Sequence, residues 1–374
     1  MEAVAVTEPV FVSESLRLGR ATLRDVVPYP TERTACDVDL SDNTNLFGAP
    51  PAALRELTNS GTEDVTRYPG LHTRRLREAL AEYAGVRVDE VVTGCGSDDV
   101  IDSAVRAFAE PGESLAFSDP TFSMIPVFAQ VNGLVPVPVP FTATMDVDAD
   151  GLVATGARII YICSPNNPTG SCASETAVDR VVERAPGIVI IDEAYAEFSG
   201  ENRISEAPRY GRVLVTRTLS KAFGMAGFRI GYGTGSAALV REIEKVRGPY
   251  KENAPGERAA ACAVREDVEW MHDCAEHARA NREWFVAALR ANGFQPLPSF
   301  ANFVLVPIAD ATPIAHLARE HGVALRAYER LRGIGDAIRV TIGPRPLMER
   351  ALEALVSARD AVTRSSQPTR FEAR

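Results

Sequence analysis

Short runs of apolar residues, each too brief for a helix and each ending in a polar motif, constrain this chain more than any other feature. Residues 158–163, 188–191 and 212–216 are rich in Ile, Val and Leu, and 91–93, 115–117 and 228–233 fit the same reading. Between them the pattern turns helical. From Thr73, the side chains of Leu76, Leu80 and Tyr83 share one face, with Gly85 near the end. From Ser97, Ile101, Val105 and Phe108 do the same, and another helix follows Pro120. A strand apolar on both faces is buried on both. Such strands alternating with helices imply a mainly parallel sheet flanked by helices. In sheets of this kind the ligand lies outside the carboxyl ends of the strands, where the polar motifs of this chain fall.

After about Tyr250 the texture changes. A helical stretch is expected from near Gly256 to Ala291, enclosing Trp270 and Trp284. Strand-like 302–306, a helix around 314–321, strand-like 337–342 and a terminal helix from about Pro346 follow. The expected architecture is α/β: a large domain over 41–250 and a smaller α+β domain over 251–363. Residues 1–40, with Pro28 and Pro30 and no period, read as an N-terminal arm, and the polar residues 364–374 as a frayed tail. A length of 374 residues suits two domains.

The net charge of −10 argues against a nucleic-acid partner, which needs a basic surface. No run of about 18 apolar residues is present, so no membrane span is expected, and residues 1–14 lack the apolar core of a signal peptide. The cysteines at 36, 95, 163, 172, 262 and 274 form no CxxC pair, which fits reduced thiols in a cytoplasmic protein. The histidines at 72, 272, 277, 316 and 321 never stand four apart, so no metal site is expected.

The chemistry concentrates in residues 218–231. There Lys221 follows Thr218 and Ser220, lies among glycines, and precedes Arg229. An amine that forms a Schiff base with a carbonyl cofactor needs that setting. Glycines let the backbone approach, hydroxyls and a guanidinium hold a phosphate, and the lysine supplies the nitrogen. This reads as the chemistry of pyridoxal 5'-phosphate, and every other demand of that cofactor has a candidate. Asp192 ends an apolar strand, a costly place for a carboxylate without a partner. A pyridinium nitrogen is a suitable one, and a helix N-cap is the plain alternative. Tyr195 and Asn167 offer donors to the phenolic oxygen, or are a core tyrosine and a turn residue. Backbone N–H groups of Ser97 and Asp98, after Gly94, Cys95 and Gly96, suit the phosphate; the Asp98 side chain is expected to turn away and cap the helix. Phe122 suits the ring face, or is a core residue. Arg339, inside the apolar run 338–342, needs an anion, either the substrate's carboxylate or phosphate or an internal carboxylate.

Taken in order, the motifs Gly94-x-Gly96-Ser97-Asp98, Ser164-Pro165-Asn166-Asn167-Pro168-Thr169-Gly170, Asp192-Glu193-Ala194-Tyr195 and Ser220-Lys221-x-x-Gly224-x-Ala226-Gly227-x-Arg229 resemble those of the class I/II pyridoxal-phosphate aminotransferases, and within them the histidinol-phosphate aminotransferases. The resemblance spans about Tyr29 to Leu355. It implies an aspartate-aminotransferase-like fold, with Lys221 as the Schiff-base lysine and Asp192 as the pyridinium partner. Asn167 and Tyr195 would hold the phenolic oxygen, and Ser97, Asp98, Thr218 and Arg229 the phosphate. It further implies that Tyr68 reaches the phosphate of the neighbouring subunit's cofactor, hence a homodimer with shared active sites. Arg339 would grip the substrate's anionic end, with Asn43 on the same side. The family's Asn-Glu-Asn-Pro stands here as Asn43-Thr44-Asn45-Leu46, its stacking tyrosine as Phe122, and its Pro-Tyr-Asn-Val-Asn as Pro249-Tyr250-Lys251-Glu252-Asn253. The first and third departures fall on the substrate side. The implied activity moves an amino group between an amino acid, or a histidinol-phosphate-like amine, and a 2-oxo acid. The alternatives are a decarboxylase of phosphorylated amino acids on a similar framework and, more remotely, a non-catalytic protein of the same fold.

Overall fold

A computed structural model of the protein describes residues 19–24, 26, 36–70, 74–200 and 202–366. Its centre is a seven-stranded sheet. In chain order the strands are β1 (Val91–Cys95), β2 (Ser114–Asp119), β3 (Val135–Pro140), β4 (Ile159–Cys163), β5 (Ile188–Asp192), β6 (Val213–Thr218) and β7 (Ile230–Thr234). Across the sheet they run β1-β7-β6-β5-β4-β2-β3. Only β7 is antiparallel to its neighbours; the other pairs are parallel. Every residue of β4, β5 and β6 is buried. That two-sided burial is why these strands read as continuous apolar runs.

The sequence reading placed no strand at 135–140, where Pro136, Pro138 and Pro140 stand against a central one. The edge position of β3 resolves the conflict. The N–H of Val135 donates to Glu113 O at 2.8 Å. The alternating prolines therefore face outward, where no ladder donor is needed.

β7 is buried throughout, and its glycine at 231 has a steric cause. A Cβ there would lie 2.1 Å from the backbone N of Ser97. Only glycine lets the first turn of the helix Ser97–Phe108 rest on the strand.

The second unit is built on an antiparallel sheet of β8 (Phe303–Pro307), β9 (Arg326–Leu331) and β10 (Gly335–Thr341), in the order β9-β10-β8. β9 was not expected; it is a half-exposed edge strand with charges in its sequence, so it lacks an apolar signature. The helical stretch expected from 256 to 291 is two helices, Ala254–Glu266 and Val268–Ala291. They part at Asp267, whose buried carboxylate accepts the N–H groups of Ala52 (2.9 Å) and Ala53 (3.4 Å). Those donors open the helix Pro51–Thr58, where an acceptor is needed.

The final helix, Arg345–Ser366, runs past the expected start of the tail at 364. Most of the expected arm, with Tyr29, lies outside the described residues, as does His72. The described parts of the arm pack on this chain: Arg20 donates to Val131 O at 2.8 Å, and Val38–Asp39 pairs with Val323–Ala324. Among the described residues no helix is long and apolar enough to cross a membrane. No group of three or more His, Cys, Asp or Glu among them is placed to hold a metal.

Candidate active site

The carboxyl ends of β4, β5 and β6 bring the chemical residues together. Register pairs Cys163 with Asp192. Asp192 is 4% exposed. It accepts the Tyr161 hydroxyl at 2.7 Å and the Ala194 N–H at 3.1 Å. Burial raises its acid to about 6, although both donors pull downward. Sequence reading missed Tyr161. Its signal was a hydroxyl within an aliphatic strand: Tyr161 stands opposite Ile190, two residues from Asp192 and therefore on the same face.

Lys221 lies just past β6. Its Nζ donates to Asp42 O at 3.1 Å and stands 5.8 Å from the centre of the Tyr195 ring. Burial first, then the positive charge of Arg339, lowers the amine to about 8. The ring that Lys221 approaches belongs to Tyr195, three residues past Asp192, so amine and carboxylate share one chamber at the strand ends.

Tyr195 packs edge-on against Phe303, with 5.1 Å between ring centres. Its hydroxyl accepts the Asn43 amide at 3.1 Å. Asn43 is buried in a left-handed conformation (φ 56°). Its N–H donates to Thr341 Oγ1 at 2.9 Å, its Oδ1 accepts from the same hydroxyl at 3.3 Å, and its carbonyl accepts from Asn302 at 3.0 Å. The polar atoms of Asn43 are thus turned to the protein, and it orients Tyr195.

Arg339, on β10, reaches the same chamber. It donates to Asn167 Oδ1 and, at 2.6 Å, to Ser41 O. Both acceptors are neutral, and its buried Nε has no hydrogen-bond partner among the described residues. The guanidinium stands 5.4 Å from the Phe303 ring centre and 5.7 Å from that of Tyr328. Arg326 is directly opposite it in register, 6.0 Å from the Tyr328 ring. Tyr328 and Arg326 come from the strand that sequence reading did not find.

A second group converges at the start of the helix Ser97–Phe108. Gly96 is its N-cap, with φ 84°. A Cβ there would approach the Arg229 guanidinium to 2.8 Å. Arg229, itself left-handed at φ 58°, lies 3.5 Å from Ser220 Oγ and 3.8 Å from Asp98 Oδ2. Thr218 Oγ1 accepts the Ser220 N–H at 3.1 Å. Ser97, Thr218, Ser220 and Arg229 therefore frame one cradle. Burial pushes the Asp98 acid upward, against the pull of Arg229 and Lys221. The capping expected of Asp98 is not made: the helix has no side-chain cap, and Asp98 faces Arg229. Asp99 Oδ2 instead accepts the Cys95 N–H, in the turn before the helix, at 3.0 Å.

Phe122 is half-buried against the apolar cluster of Phe117 and Ile125. Beside it Thr121 donates to Asn166 at 2.7 Å. Tyr68 is 80% exposed, and its ring stacks on Tyr250 at 4.6 Å.

These residues fit pyridoxal 5'-phosphate. A buried amine near neutrality suits a carbonyl. A buried carboxylate with neutral donors suits a cationic ring nitrogen. A helix start with hydroxyls and a guanidinium suits a phosphate.

The family model for aminotransferase class I and II matches residues 37–355. The aromatic amino acid aminotransferase of Corynebacterium glutamicum (strain R) is 36% identical over 322 residues, covering 83% of this chain and 92% of that protein. The histidinol-phosphate aminotransferase of Thermobifida fusca is 35% identical over 352 residues, covering 91% and 95%. Among solved structures, the histidinol-phosphate aminotransferase of Sinorhizobium meliloti in complex with pyridoxal-5'-phosphate superposes with a TM-score of 0.83 at 23% identity, covering 92% and 98%, a likeness of fold. Both sequence relatives are named for transamination, which leaves the decarboxylase reading without support. The chain belongs to the class I and II aminotransferases, pyridoxal-phosphate enzymes that move an amino group between an amino donor and a 2-oxo acid.

Proposed function

We propose that the amino donor is an α-amino acid whose carboxylate docks on Arg339, and that Lys221, Asp192 and Tyr195 carry the chemistry. The observation that carries the reading is Arg339: a buried guanidinium with neutral partners, an unused Nε and an aromatic ring on each side. A planar fork of this kind suits a carboxylate. When bound, pyridoxal phosphate supplies an electron-withdrawing ring that lets the hydrogen beside the substrate nitrogen leave as a proton. Lys221 Nζ in its neutral form takes that proton and returns it. Asp192, oriented by Tyr161 and the Ala194 N–H, would pair as a carboxylate with the cofactor's ring nitrogen. Tyr195 and Asn167 would hold the cofactor's phenolic oxygen, and Asn43 fixes the Tyr195 hydroxyl. The N–H groups of Ser97 and Asp98, with Thr218, Ser220 and Arg229, hold the phosphate. Phe122 would offer its face to the cofactor's ring.

The same reading makes the protein a cytoplasmic homodimer with shared sites. Leu54, Leu57, Val65, Tyr68 and Tyr250 expose apolar surface, and Tyr68 on that surface would reach the partner's phosphate. Its domains are 41–250 and 251–363.

A second reading, a histidinol-phosphate-like donor, is favoured by Arg326 opposite Arg339. A phosphate ester carries more charge than a carboxylate and draws on two guanidinium groups. The test is a panel of amino donors mixed singly with the holoenzyme, reading loss of the cofactor's visible absorbance. Fast loss with aromatic or other α-amino acids, abolished in Arg339→Met, supports the first reading. Preference for histidinol phosphate, reduced in Arg326→Met, replaces it with the second. Capture of added cofactor by the apoenzyme should quicken as pH rises through about 8, as Lys221 loses its proton.

A further inference from the structure

Two aspartates open the helix Ser97–Phe108, beside the cradle proposed for a phosphate. Negative side chains complement the helix dipole, but they repel a dianionic ligand at the same place. The chain answers each with a cation. Asp98 faces Arg229 at 3.8 Å. Asp99 is met from a distant segment by Lys251, whose Nζ is 2.5 Å from Asp99 Oδ1 and 3.1 Å from Ser103 Oγ. The other Asp99 oxygen holds the Cys95 N–H in the turn that leads into the cradle. This pair is mostly buried, the Lys251 and Asp99 side chains being 16% and 19% exposed.

The segment that delivers Lys251 is held firmly. Arg247 and Glu252 form a buried ion pair at 2.5 Å, and Arg247 also meets Glu244 at 3.1 Å. Asn253 caps the following helix, accepting the Gly256 N–H at 2.7 Å. Between them the Tyr250 backbone is left-handed, at φ 56°. Lys251 is thus an anchored charge, one turn removed from the cradle and in contact with neither Ser97 nor Arg229 by any hydrogen bond among the described residues.

We propose that Lys251 is a positioning residue for the cofactor's phosphate: it neutralises Asp99 and pins that carboxylate against the 94–97 turn, so that the phosphate meets a cradle of net positive potential and fixed shape. The proposal rests on the reading that Ser97, Thr218, Ser220 and Arg229 hold the phosphate. It assigns work to one of the departures in 249–253, and it places that departure on the cofactor side of the site, whereas the sequence reading had assigned it to the substrate side.

The test compares binding of pyridoxal 5'-phosphate and of pyridoxal, which lacks the phosphate, to the apoenzyme. Lys251→Met should weaken the phosphorylated ligand on the order of tenfold, the size expected for one uncompensated charge near the cradle, and leave pyridoxal unchanged. Inorganic phosphate should compete less well by the same factor. Lys251→Arg should retain affinity. Asp99→Asn alone should not weaken the phosphorylated ligand, and combined with Lys251→Met it should recover most of the loss. Equal weakening of both ligands, or no weakening, overturns the proposal. Arg229→Met separates the two readings. If it fails to discriminate between the ligands, the cradle itself is misread and the proposal falls with it; if it discriminates while Lys251→Met does not, the role of Lys251 alone is overturned.

Discussion

Asp192 and Glu193 are consecutive residues at the end of β5, both buried, and they meet opposite surroundings. Arg217 donates to Glu193 Oε2 twice, at 2.9 and 2.7 Å, and the Arg203 N–H meets the other oxygen at 2.6 Å. Arg217 also stands 3.6 Å from Glu197. On this face the chain supplies its own cation, so nothing remains to bind. Asp192 receives the Tyr161 hydroxyl and the Ala194 N–H, both neutral donors. Burial raises both acids, but a guanidinium opposes the rise at Glu193 and only neutral donors oppose it at Asp192. A buried carboxylate that its own chain does not neutralise is one that a cationic ligand can complete.

The largest expected effect lies on the Asp192 face. Lys221→Ala removes the amine that shares this chamber, so turnover should fall by about 10⁴-fold or more, and the visible absorbance of the bound cofactor should be lost. A coloured, active variant would break the comparison, because the ligand-binding face would then lie elsewhere. Next is Arg217→Met on the Glu193 face. It leaves Glu193 and Glu197 buried without their guanidinium, and the expected cost is about 3–5 kcal/mol of stability, read by denaturant unfolding. The loss should shrink as the pH falls into the carboxylate range.

Asp192→Asn sharpens the contrast through its sign. In the apoenzyme the Asp192 acid is raised from its ordinary 3.8 to about 6. Its favourable contribution is therefore complete below the ordinary value and is lost as pH rises through about 6. At pH 8 the ionised group costs up to about 3 kcal/mol. Asp192→Asn should thus stabilise the apoenzyme at pH 8 by a sizeable part of that amount, and by roughly half as much at pH 5, which lies between the two values. With the cofactor bound the sign should reverse, since the ring nitrogen then needs the charge. Thermal melts of both forms at the two pH values measure this, and destabilisation of the apoenzyme at both would remove the distinction between the faces.

What the sequence revealed follows the same division. The buried strands, the lysine and the strand-end carboxylate were legible because each is a local pattern: a continuous apolar run, or a polar motif at its end. At the substrate end Arg339 and Asn43 were named, but their surroundings were not, because Tyr328, Arg326 and Ser41 come from β9 and the segment after residue 36, which meet β10 only through register and long-range hydrogen bonds. Asn43 could be seen as polar, but not that its polar atoms turn to Thr341, Asn302 and Tyr195. Asp98 was expected to cap its helix, but it faces Arg229, a partner that approaches through the fold and not through the local motif.

Tyr161→Phe makes the smallest change and tests the Asp192 face most directly. It removes the 2.7 Å hydroxyl bond while keeping the ring within β4. A hydrogen bond to a charged acceptor is worth about 1.5–3 kcal/mol. Part of that bond persists whether or not the cofactor is bound, so the effect on turnover should be near the lower end, about tenfold. Without this donor the neutral form of Asp192 is favoured further, so the acidic limb of the activity profile should move to higher pH. A general packing defect would lower activity equally at all pH values, and an unmoved acidic limb would show that Tyr161 holds the fold and has no part in holding the charge.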